Sequence, residues 1–143
     1  MPKPIFQLVY LSHAVEDISY TDIRDILDVS RAHNAKEDIT GVLIYREGYF
    51  LQVLEGNKES VLKLVAKIKD DDRNFKLRVL LEADSPVRLF ADWSMAFLDG
   101  DIQANSTVDL IELFELCLKS GMSDKVVIQT MVRKFRASAP EFK

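Results

Sequence analysis

Two segments of the chain are apolar on both faces of a strand, and this limits its possible folds more than any other feature. In residues 5–11 (IFQLVYL), Ile5, Val9 and Leu11 point to one side and Phe6, Leu8 and Tyr10 to the other. Residues 50–56 (FLQVLEG) repeat the pattern, with Phe50, Gln52 and Leu54 opposite Leu51 and Val53. A sheet containing such strands must be covered on both faces. Gln52 then stands out, because a buried amide costs about 1–3 kcal/mol unless its donors and acceptors find partners.

The surrounding pattern supplies the rest of the sandwich. Ser19 and Asp22 form a capping box that opens a helix carrying Ile23, Ile26, Leu27, Ser30 and Asn34 on one stripe, with Asn34 at its end. Residues 39–45 and 49–54 read as strands joined through Arg46-Glu47-Gly48, and the first strand is followed by the loop Ser12-His13-Ala14-Val15. Asn57 caps a second helix with the stripe Val61, Leu64, Val65 and Ile68, closed by Asp70-Asp71-Asp72-Arg73. Strands at 76–82 and 93–98 follow, separated by a loop containing Ser85-Pro86. The order βαββαββ predicts an α+β, ferredoxin-like sandwich with both helices on one sheet face. Beyond residue 100 the pattern is helical only: Val108, Ile111, Leu113, Phe114 and Leu118, then Gly121, then 126–135. The expected organisation is a domain over 1–100 and an extension of two helices over 101–143. That extension, a partner subunit, or both would cover the second sheet face.

Composition narrows the function. The 143 residues fit one domain, and 48% hydrophobic with 29% charged residues is a globular balance. Cys117 is alone and there are two histidines, which disfavours disulfides and structural zinc and fits a cytoplasmic protein. No apolar run approaches a membrane span, and the N-terminus has no secretory core. A net charge of −4 argues against nucleic acid, and the basic Arg133-Lys134-Phe135-Arg136 suits a helix C-terminus. No G-x-G-x-x-G or Walker A stretch occurs among the five glycines.

The polar residues within the sheet framework carry a resemblance. LVYLS around Tyr10, HNAKEDITGVLIY beginning at His33-Asn34, GYFLQVLEG around Gln52, and FADWSM with Trp93 and Met95 resemble the BLUF domain, a sensor of blue light using FAD. The match spans about residues 4–100, and four motifs in register make it specific. It implies a flavin between the first two helices. Residues matching Tyr10 and Gln52 would hydrogen-bond in a chain to the ring, and the one matching Asn34 would anchor its carbonyl side. Lys67, Asp71, His33 and Met95 match further binding positions, and Trp93 and Met95 belong to the photoactive surroundings. Lys67 stands where the family often has arginine, so the bidentate contact of a guanidinium is not available there.

That resemblance gives Gln52 a chemical role. A phenol becomes strongly acidic once oxidised, so an electron leaving Tyr10 must take its proton along. An amide both donates and accepts, can relay that proton, and can return with its hydrogen-bond pattern exchanged. The implied product is a red-shifted signalling state. The chain would then be a photoreceptor and not an enzyme, acting through a downstream protein partner and as a homo-oligomer.

Other readings exist for each residue. Tyr10 fits a core tyrosine bonded to backbone, Asn34 a left-handed helix C-cap, Lys67 and Asp71 a surface pair, and Trp93 and Met95 core packing. The competing function is a ferredoxin-like dimerisation or small-ligand module without chromophore. An acylphosphatase-like hydrolase would need a glycine-rich anion loop with arginine, which Ser12-His13-Ala14-Val15 does not supply.

Overall fold

The computed structural model describes residues 4–91, 95–99, 128–130, 132 and 133. Its elements run β1 (Ile5–Ala14), α1 (Tyr20–Glu37), β2 (Thr40–Arg46), β3 (Tyr49–Gly56), α2 (Lys58–Lys69), β4 (Asn74–Ser85) and β5 (Ala96–Asp99). The sheet order is β4-β1-β3-β2-β5, antiparallel except where β5 runs parallel to β2. The first four strands form the ferredoxin-like arrangement read from the sequence, and β5 extends its edge.

Local signals account for the ends of these elements. Ser19 and Asp22 close the capping box of α1, with the Asp22 amide 3.1 Å from Ser19 Oγ. Asn57 Oδ1 accepts from the Glu59 and Ser60 amides at the start of α2. Glu47 and Gly48 join β2 to β3 with φ of 48° and 81°, the two positive values a tight two-residue hairpin needs.

The sheet is covered on both sides. One cluster joins Phe6, Leu8, Tyr10, Leu43, Phe50 and Leu54 to Ile23 and Leu27 of α1 and to Val61, Leu64 and Val65 of α2. The other joins Val9, Leu11, Val42, Ile44, Leu51, Val53 and Ala96 to Ile128 and Val132. Residues 128–130, 132 and 133 are helical, so part of the C-terminal region packs on the face the first two helices leave open. The expected helix carrying Val108, Ile111, Leu113, Phe114 and Leu118 lies outside the described residues.

Several boundaries differ from the sequence reading. β1 continues through Ser12, His13 and Ala14, because these residues pair with β3 and β4 and the His13 ring stacks on Phe75 at 5.2 Å. β4 is longer than 76–82, since pairing with β1 runs from Asn74 to Ser85 across two register shifts. Asn34 does not end α1. The helix runs on to Glu37, and Asp38 provides the left-handed cap, with φ 56°.

Candidate functional site

β1 and β3 place Tyr10 directly opposite Gln52, on the sheet face that carries the helices. Both side chains are buried, and Tyr10 Oη donates a hydrogen bond to Gln52 Oε1. Burial, and secondarily the negative charge of Asp71, holds the phenol's pKa well above its ordinary value. Tyr10 is therefore a neutral donor at any physiological pH. The amide's other end is also engaged, with Gln52 Nε2 3.3 Å from Met95 Sδ. Met95 is 1% exposed, and its carbonyl oxygen accepts from Arg31 Nε of α1 at 2.9 Å. The question posed by a polar side chain in an apolar strand is thus answered by a buried chain from Tyr10 through Gln52 to Met95.

Above this chain lies a cleft of about 170 Å³ between α1, α2 and the sheet. Ile26 and Val29 of α1 and Leu64 and Ile68 of α2 form apolar walls, while Tyr10, Leu43, Phe50 and Gln52 contribute from the sheet. Val29 is 60% exposed, an apolar surface that a ligand in the cleft would cover. Ser30, His33, Lys67, Asp71, Arg73 and Asn74 add polar groups. A flat ring with a polar edge suits such a lining.

The polar side of the cleft is held by Arg73. Its Nε and Nη2 grip the two Asp71 carboxylate oxygens at 3.0 and 2.7 Å, and Nη1 reaches Asp25 at 2.8 Å. The hydrogen bonds from Arg73 keep the Asp71 carboxyl below its usual pKa. Asp71 therefore pairs with Arg73 rather than with Lys67, the partner in the alternative surface-pair reading. Asn74 Nδ2 donates to the Ile68 and Asp71 carbonyls, at 2.8 and 3.0 Å. Its buried Oδ1 has no partner among the described residues, which leaves an acceptor in the cleft lining for a ligand's donor.

The structure thus brings Tyr10, Gln52, Lys67, Asp71 and His33 to one cleft, with Met95 behind Gln52. Asn34 is fully buried in the last turn of α1 and is not among the cleft's lining residues. Trp93 lies outside the described residues. Sequence reasoning missed Arg31, Arg73 and Asn74, because an exposed-looking arginine or a turn asparagine carries no local signal of what it reaches. It also missed Glu55, a fully buried carboxylate on the opposite face. Glu55 accepts from the Leu89 and Phe90 amides, both at 2.8 Å, and from Gln7 Nε2 at 3.2 Å. A glutamate following an apolar strand invites the reading of a strand end at the surface, and here the strand continues.

No helix among the described residues is long and apolar enough to cross a membrane, and no cluster of three or more metal-ligating side chains occurs among them. Comparison with known proteins matches residues 5–96 to the family described as BLUF, sensors of blue-light using FAD. The blue light- and temperature-regulated antirepressor of Escherichia coli is 30% identical over 64% of this chain and 23% of its own length. Photoactivated adenylate cyclase subunit beta of Euglena gracilis is 32% identical over 91% of this chain and 15% of its own length. The chain therefore spans less than a quarter of these two relatives. Among solved structures, photo-activated BlsA aligns with a TM-score of 0.78 at 26% identity, over 92% of this chain and 94% of that one. The dark-state BLUF protein BlrB shares the fold, with a TM-score of 0.79 at 24% identity, over 96% of this chain and 99% of that one. With a mixed five-stranded sheet, a cleft between its helices and a family match across 5–96, the chain belongs to the BLUF family of blue-light sensors that use FAD.

Proposed function

We propose that residues 1–100 form a photosensor domain that holds FAD non-covalently in the cleft between α1 and α2 and passes a light-driven change to a protein partner. The observation that carries this reading is the buried chain Tyr10–Gln52–Met95 at the cleft. Tyr10, Gln52, His33, Lys67 and Asp71 would hold the cofactor, with Asn34 in the last turn of α1 supporting its polar edge. When bound, the flavin supplies absorption of blue light and an excited state able to accept one electron.

The protein's part is proton handling. Tyr10 gives up an electron only together with its proton, and Gln52 Oε1, which already accepts the phenol's hydrogen bond, takes that proton. Electron and proton then return to Tyr10, so no net redox change remains. The Gln52 amide can settle with its donor and acceptor exchanged, by rotation or tautomerisation, and its contact with Met95 Sδ changes with it. A carboxylate would add charge here, and an alkyl chain would relay nothing.

Curated relatives of this chain are named as an adenylate cyclase subunit and an antirepressor, so the output differs among them. For this chain the output is a change in affinity for a partner protein. The deciding experiment is a light-minus-dark absorption spectrum of purified, flavin-loaded protein. A reversible red shift is expected, and Tyr10→Phe and Gln52→Leu should retain flavin but lose the shift. Normal photocycling in either variant would sink the assigned relay.

A further inference from the structure

The Met95 side chain is packed in the core, but its polar contact holds it only weakly. A thioether is a poor acceptor, so the 3.3 Å contact from Gln52 Nε2 cannot by itself fix the side chain. Nor does the sheet fix it. β5 is a four-residue edge strand, and its ladder with β2 begins at Ala96, one residue beyond Met95. Among the described residues, the polar hold on its backbone is the charge-assisted bond from Arg31 Nε to the Met95 carbonyl, at 2.9 Å. Arg31 projects from α1, between the cleft-lining Ser30 and His33 in sequence.

We propose that Arg31 is a positioning residue whose guanidinium latches the start of β5 to α1 and thereby keeps the Met95 thioether against Gln52. Withdrawal of Met95 from Gln52 by a shift of its backbone requires that latch to open. The inference rests on the photosensory reading given above, but the latch itself can be tested in the dark.

The experiment is hydrogen exchange on dark, flavin-loaded protein, followed by recovery kinetics after illumination. Arg31→Met keeps the length and loses the donor. It should speed exchange at residues 96–99 about tenfold, equivalent to about 1.4 kcal/mol, and leave residues 51–54 unchanged. Arg31→Lys retains a cation and should fall between the two. Dark recovery in Arg31→Met should change by about threefold or more, and this effect should vanish in a Met95→Ala background while the exchange effect persists. Exchange at 96–99 within about twofold of wild type would overturn the latch. A recovery effect that survives in the Met95→Ala background would overturn the route through the thioether. If wild type shows no red shift, the photosensory reading fails, and the exchange comparison still decides whether Arg31 holds β5.

Discussion

Asn34 is fully buried in a helix whose two ends are closed by Ser19 and Asp38, so capping does not explain its amide. Asn34→Ala should therefore lower flavin retention by about tenfold or more while shifting the stability of flavin-free protein by less than about 1 kcal/mol. Flavin titration and denaturant unfolding separate the two; unchanged retention with a large stability loss would assign Asn34 to structure alone. Asp71 gives a prediction with a sign. Its folded pKa is depressed by Arg73, so its stabilising pairing is complete above the unfolded value near 4 and is lost as pH falls through the lower folded value. Asp71→Asn should be less stable than wild type at neutral pH, with the gap closing in that acid window, as read by thermal unfolding across pH. Gln52 stood out because an amide inside a doubly apolar strand demands partners, whereas Tyr10 stood out only through the family resemblance. Met95 read equally well as packing, and Arg31 and Asn74 did not stand out, since their partners lie 64 residues away or at the end of a neighbouring helix.

The strands and helices themselves were largely legible, because caps, the Glu47-Gly48 turn and double-sided apolar runs are local signals. Strand ends were not, since pairing rather than side-chain type decides them, as in Ser12 and His13 of β1. Two residues show constraints that only assembly reveals. Gly41 of β2 passes so close to β3 that a Cβ there would stand 1.9 Å from the Val53 carbonyl oxygen. Gly41→Ala should cost about 3 kcal/mol, measured by denaturant unfolding, because backbone rather than a yielding side chain must move. Glu55 ties β3 to the segment leading towards β5 through the Leu89 and Phe90 amides. Glu55→Gln turns one acceptor into a donor facing donors, and should cost about 2–3 kcal/mol in the same assay. An unchanged midpoint would mean that the segment is held by Arg88, whose Nη1 also reaches the Glu55 carbonyl and Thr40.

Signal output depends on how the two faces of the sheet communicate. The Tyr10–Gln52–Met95 chain lies on the α1/α2 face, whereas Ile128 and Val132 pack on the other. β5 links them through consecutive residues: Met95 belongs to the first cluster and Ala96, fully buried, to the second with Ile128 and Val132. Ile128 and Val132 are four apart, so one side of their helix contacts the cluster. In the proposed relay, a shift of the Met95 backbone when the Gln52 amide exchanges its pattern would displace Ala96 or strain the peptide between them. Close-packed faces move between discrete arrangements rather than deforming continuously, and a coupling of about 1–3 kcal/mol is enough to bias such an equilibrium. Hydrogen exchange should accordingly differ between dark and lit protein at residues 96–99 and 128–133, while residues 61–68 of α2 change little. Met95→Ala should shrink the lit–dark difference at 128–133, since no thioether then follows Gln52. Coincident exchange in dark and light across both segments would mean that the signal leaves the sheet by another surface.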